Sequence, residues 1–138
     1  MSDKTKMALV NMPFSYSKYP SIQLGTLSAL LKSQGIPVDC HHLNVRFAHK
    51  IGVPLYEMIC EKRALFGEWL FSYLLFRDNP KRVEYPRLFK PVFEQVAKES
   101  GHSVSFFEDM AARIAPQFLT WALTAINWGQ YKIVGFTS

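Results

Sequence analysis

Apolar positions along the chain change their period several times, and each change predicts an element. Met7-Ala-Leu-Val-Asn-Met12 is a short apolar run between a charged leader and Pro13, the pattern of a strand buried on both faces of a parallel sheet. A polar, aromatic loop from Phe14 to Pro20 follows. Ser21 then caps a predicted helix that places Leu24, Leu27, Ser28 and Leu31 on one face, with Lys32 in its last turn, Gly35 after it and Pro37 as a stop. Val38 to Asn44 resumes as a second strand, so residues 7–44 predict a right-handed parallel βαβ unit.

The rhythm then breaks. Leu55 to Phe76 is apolar on most faces and reads as an inserted helical region, with Gly67 as its break. Tyr85 to Glu99 predicts one more helix through Leu88, Phe89, Val92, Phe93 and Val96, closed by Gly101. Ser105-Phe-Phe-Glu108 has the form of a capping box. It predicts a long helix whose stripe runs Phe107, Met110, Ala111, Ile114, Phe118, Trp121 and Ala125, kinked at Pro116 and ended by Asn127-Trp-Gly129. Tyr131 to Phe136 is the third buried strand. A three-stranded parallel sheet of this kind leaves an edge and one face open. The expectation is an N-terminal piece of a longer polypeptide, or a sheet completed by another copy.

Composition sets the scale of this α/β fold. With 138 residues, 49% of them hydrophobic and 20% charged, the chain matches one domain with one core, and disorder and a disulfide scaffold are excluded as leading readings. Eleven Phe, six Tyr and three Trp are generous for such a core. The net charge of +5 permits attraction to acidic surfaces without requiring it, and no nucleic-acid partner is expected. Its densest basic stretch, Arg77 to Lys90, contains Pro80 and Pro86 and reads as a solvated connector loop, with docking of an acidic peptide as the alternative. Cys40 and Cys60 are too few and too far apart for a disulfide framework or a four-cysteine zinc site. Reduced thiols, no signal-peptide core and no eighteen-residue apolar window predict a cytoplasmic protein with no membrane span.

In a doubly wound sheet, ligands bind beyond the carboxyl ends of the strands. Here those ends are Asn11 to Leu24, Asn44 to Arg46 and Gly135 to Ser138, small, polar and aromatic segments suited to a large cofactor. Gly25 is the only glycine near the first turn, so neither GxGxxG nor a Walker loop is present. Glu57, Glu61, Glu68 and Glu108 read as solvated helix charges. Trp69, Phe71, Tyr73 and Phe76 read as core, with a substrate groove as the alternative.

Five segments carry a resemblance: Ala8-Leu-Val-Asn-Met-Pro-Phe14, Pro20-Ser-Ile-Gln-Leu-Gly-Thr-Leu27, His41-His-Leu-Asn44, Leu65-Phe-Gly-Glu-Trp-Leu70 and Ile133-Val-Gly-Phe-Thr-Ser138. Together they resemble the opening of the cobalamin-dependent radical SAM enzymes that mature ribosomally made peptides. The resemblance implies a partial flavodoxin-like or Rossmann-like three-layer domain, a truncated cobalamin-binding-like unit over residues 1–138 with a helical insert at about 46–101. It implies a parent C-methyltransferase acting on a ribosomal precursor peptide. The 4Fe–4S cluster on its CxxxCxxC loop and the S-adenosylmethionine site would belong to a C-terminal radical SAM domain outside this chain, so no catalysis is expected from these residues alone.

By the same resemblance Pro20, Ser21, Gln23, Leu24 and Gly25 would line the cobalamin site, with Thr137 and Ser138 opposite. The plainer alternative makes Ser21 only a cap and Gly25 only a packing residue. Asp39-Cys-His41 matches the start of the DxHxxG cobalt-ligand motif of other cobalamin domains, but Asn44 stands at the glycine position and the motif falls in the second strand. No histidine ligand to cobalt is therefore expected, and His41 or His42 reads as a hydrogen-bonded structural residue. The competing reading of the whole chain is a cofactor-free α/β binding module that dimerises through its open sheet edge.

Overall fold

Three short parallel strands, β1 (Met7–Asn11), β2 (Val38–His42) and β3 (Ile133–Thr137), form a sheet in the order β2-β1-β3. The computed structural model describes residues 5–62 and 65–137. Register aligns Met7 with Val38 and Ile133 at one end, and Asn11 with His42 and Thr137 at the other. Because β1 is apolar on both faces it takes the centre, where neither face meets water: Ala8, Leu9 and Val10 are buried.

The first helix, α1 (Ile22–Ser33), covers one face. Ser21 caps it by accepting the Leu24 N–H at 3.2 Å, and Gly35 takes a positive φ of 73° just past its end, as the sequence predicts. Leu24 packs on Leu9 and Val38, with Leu31 beside them, and Ser28 is also buried. Leu27, expected on this face, is exposed instead. α1 rests on only two strands, and that narrow support admits positions 24, 28 and 31 but not one a further 60° round the helix.

All the remaining helices lie between β2 and β3. Leu43 and Asn44 are not strand, as expected, but the start of α2 (Leu43–Ile51). Leu43, Asn44, Phe47 and Ala48 form its buried face, a helical spacing that overrides the short β-like run before it. α3 (Val53–Cys60) and α4 (Phe66–Leu75) replace the single apolar helix, and the break falls between Cys60 and Phe66 rather than at Gly67. Gly67 lies inside α4 for another reason: a Cβ there would collide with the Phe14 ring. The predicted 85–99 helix is two, α5 (Lys81–Leu88) and α6 (Lys90–Ser100), parted at Phe89 because Pro91 can start a helix but cannot donate an N–H to continue one. The basic connector is thus largely helical, with Pro86 inside α5.

Ser103, not Ser105, caps α7 (Val104–Asp109), accepting the Phe106 N–H at 3.2 Å. The rod then continues through a π turn, Met110–Ile114, into α8 (Ala115–Ala125). Ala115 N–H reaches back to the Met110 carbonyl. The wider turn accommodates the missing N–H and bulky ring of Pro116, the position at which the sequence predicts a kink. Trp128 closes the rod by donating its indole N–H to the Ala122 carbonyl at 3.1 Å.

Apolar burial falls into two large clusters rather than one. On the sheet face opposite α1, Val10, Phe47, Tyr56, Ala115, Phe118 and Ala122 pack together. Away from the sheet, Ile59, Phe66, Trp69, Leu70, Phe93, Val96, Phe107, Met110 and Ala111 form a core of the helices themselves. Phe14, Ile51, Phe71 and Ile114 touch both. Much of the aromatic surplus is used here, in contacts such as Phe66 on Phe93 at 4.9 Å and Trp69 edge-on to Phe93 at 4.8 Å. The architecture is mixed α/β, a flavodoxin-like partial sheet between α1 and a helical layer.

Candidate functional site

The chain leaves β1 to reach β2 by way of α1, then returns across the other face to β3. The carboxyl ends of β1 and β3 are therefore the switch point where loops diverge and a crevice forms. Met12 N–H donates to the Thr137 carbonyl there at 2.8 Å.

The loop from Met12 to Ser21 is held from beneath by three side chains of α2 and α3. The Asn44 amide donates to the carbonyls of Ser15 and Tyr16 at 3.4 and 3.2 Å. The Tyr56 hydroxyl donates to the Ser15 carbonyl at 2.7 Å. Glu57 accepts from the Ser17 amide at 2.8 Å and from its hydroxyl at 2.5 Å. All three residues are buried. Burial holds the Tyr56 phenol far above its ordinary value, so it stays a donor. Glu57 is thus no solvated helix charge, whereas Glu61, Glu68 and Glu108 are exposed as expected. Phe14 inserts below the loop, stacked on Tyr56 at 5.2 Å and edge-on to Phe47 at 5.7 Å.

Beside this loop, a groove of about 420 Å³ runs between α1 and the edge of β2. Pro20, Ser21, Leu24 and Gly25 line it together with Ser28, Cys40 and His42. Four residues expected at a cofactor site are therefore brought together. Two described ones are not: Gln23 is exposed beside the cap, its amide oxygen accepting from the Ser21 hydroxyl at 3.2 Å, and Thr137 lies on β3, across β1 from His42. Ser138 lies outside the described residues. The Ser21 hydroxyl is engaged as a cap, but Gly25 is no packing residue, since a Cβ there would meet nothing within 4 Å. Cys40, His42 and Ser28 are wall residues that the first-turn reading missed; the signal for Cys40 and His42 is alternation along β2, which sends 38, 40 and 42 to one face, and for Ser28 the α1 stripe it shares with Leu24.

His41 points to the other face and joins a polar cluster. Its Nε2 is 3.0 Å from the Tyr131 hydroxyl, which donates to Asp39 at 2.6 Å, and Lys6 pairs with the same Asp39 oxygen at 2.8 Å. Hydrogen bonds from Lys6 and Tyr131 hold the Asp39 carboxyl below its usual range. Burial, with Asp39 beside it, pushes Tyr131 up to about 12. His41 is accordingly a structural, hydrogen-bonded histidine, and among the described residues no group of three His, Cys, Asp or Glu side chains could hold a metal ion.

A second concavity, about 440 Å³, lies among the helices between Trp69, Tyr73, Arg82, Pro86 and Glu108. Trp69 is buried while Phe76 is exposed, so the aromatic stripe divides between core and surface. The Arg82 guanidinium sits 3.5 Å from the Tyr73 ring centroid. No described helix is long and apolar enough to cross a membrane. In comparisons with known proteins no family model, no curated protein and no solved structure matches the chain, so the reading of the site rests on its own geometry.

Proposed function

We propose that this chain is the cobalamin-binding-like N-terminal domain of a cytoplasmic radical SAM peptide C-methyltransferase, with the cluster, S-adenosylmethionine and precursor-peptide chemistry residing in a further domain. The observation that carries this reading is the groove between α1 and the edge of β2, walled by Pro20, Ser21, Leu24 and Gly25 and reaching the carboxyl end of that strand at His42. The residues fit such a group in kind: Gly25 leaves the wall open to a bulky ring, Leu24 gives an apolar floor, and a loop anchored by Asn44, Tyr56 and Glu57 needs no reordering to receive it. The groove supplies one side of a corrin site, consistent with a domain that shares its cofactor with another. Cobalamin, when bound, would carry the methyl group; this chain's residues bind and orient.

Reconstituting the chain together with its radical SAM domain with hydroxocobalamin, desalting, and recording the corrin absorption bands tests the reading. Retained bands, lost in Gly25→Leu without loss of folding, support it. No retained cobalamin overturns it.

A second reading, a cofactor-free module that dimerises, draws on β3, an edge strand whose Ile133 and Phe136 are 50% and 67% exposed. A light-scattering mass equal to the monomer would overturn it.

A further inference from the structure

We infer that the groove between α2 and α8 is a binding site for a phosphate monoester carried on a flat aromatic ring, a nucleoside monophosphate or a ligand of like chemistry. The two helices that form it are unequal in charge. Arg46, His49 and Lys50 stand on adjacent turns of α2, whose sequence has no carboxylate, and α8 has no charged residue at all. Among the described residues, neither Arg46 nor Lys50 is paired with a carboxylate. A dense cation cluster left uncompensated attracts a multiply charged anion, and the Arg46 fork suits phosphate oxygens.

The groove has two lobes, and they differ. Arg46, His49 and Lys50 face a lobe of about 250 Å³. On the other side of Arg46 and Trp121, a lobe of about 310 Å³ is walled by Leu43, Val45, Ala125 and Ile126 together with Cys40, His41 and His42 of the β2 edge. Trp121 belongs to both lobes and is 41% exposed, with the Arg46 guanidinium 5.8 Å from its ring centroid. An anionic head in the first lobe therefore places an attached planar ring beside the indole, where stacking is favourable. A carboxylate alone would leave cations unmatched, and a long polyanion would meet no lysine or arginine beyond Arg46 in the second lobe. The site does not depend on the cofactor reading: it opens on the α8 side of the sheet, and the two grooves meet only at Cys40 and His42 on the β2 edge.

Calorimetric titration of the chain, at fixed ionic strength and without cobalamin, tests the assignment with adenosine monophosphate, adenosine, inorganic phosphate and benzoate as probes. Adenosine monophosphate should bind at least about tenfold tighter than each of the other three. Arg46→Gln and Lys50→Gln, both at exposed positions, should each weaken it about tenfold, while Gly25→Leu leaves it unchanged. Trp121→Leu should weaken adenosine monophosphate and not inorganic phosphate. Equal affinity for benzoate, no effect of either cation variant, or tighter binding of a single-stranded oligonucleotide than of the mononucleotide would each overturn the assignment.

Discussion

Ser17 gives both its amide and its hydroxyl to one carboxylate oxygen of Glu57, forty positions away in the sequence. The contact joins the loop at the carboxyl edge to a helix of the other layer. Removing the carboxylate leaves two donors facing a buried gap, a loss of about 2 kcal/mol. Glu57→Ala should lower stability to urea by that amount, and Glu57→Gln, which keeps an acceptor oxygen, by about half of it. A loss in Glu57→Ala below about 0.5 kcal/mol would show that the loop is held by Asn44 and Tyr56 alone.

Gly67 and Phe14 make a second long-range contact that admits no side chain at position 67. Gly67→Ala gains about 1 kcal/mol of helix propensity but forces the Phe14 ring out of its place against Tyr56. Overpacking of this kind costs about 1–3 kcal/mol, so the net change is destabilising. Thermal melts should show that Phe14→Leu recovers part of the loss in the double variant; strict additivity would refute the contact.

Burial, with Glu57 nearby, pushes the Cys60 thiol up to about 12. At pH 8 its thiolate fraction is about one in ten thousand. Iodoacetamide should therefore label Cys60 at least about a hundredfold more slowly in the folded chain than in urea, as read by peptide mass spectrometry. The raised value also makes the neutral thiol a stabilising form, present below its ordinary pKa and lost as pH climbs toward 12.

Asp39 provides the acid-side counterpart. Its carboxyl titrates lower in the folded chain than in the unfolded one, so its contribution is present above about pH 4 and fades as pH falls through the folded value. The side chain is 42% exposed, which limits the effect to under about 1 kcal/mol. Asp39→Asn should be less stable than the parent at pH 7, by a margin that shrinks at pH 2. An equal deficit at both pH values would assign the loss to packing.

Local chemistry made α1 legible: Ser21, Gly35 and Pro37 act within a few residues of their own position, and the structure keeps each role. The three strands were legible too, although β2 ends at His42 and β3, expected to be buried, exposes Ile133 and Phe136. What the sequence misplaced was settled at a distance. Glu57 is buried where Ser17 reaches it, and Gly67 is glycine because of Phe14. Neither partner lies within a turn or a strand repeat, so no periodicity reports them, whereas the helical spacing of Leu43, Asn44, Phe47 and Ala48 is itself legible and outweighs the strand-like run before it. At Pro116 the sequence marked the right place, and the structure adds that the turn before the proline is widened to a π turn. At the site, Pro20, Ser21, Leu24 and Gly25 were findable from the helix start, whereas Thr137 shares their sheet face but not their groove.

The strand order carries a cost in time. β1 is the middle strand, yet the hydrogen bond from the Lys6 amine to Gln130, beside the β1–β3 pairing, closes a separation of 124 positions. Closing so long a loop is slow relative to helix formation. The helices between β2 and β3 are built from local contacts and can form first, while one side of β1 waits with its N–H and C=O groups unmatched. During that interval the most apolar strand of the protein is an open template for other chains. Refolding yield should fall with protein concentration more steeply than stability alone would require.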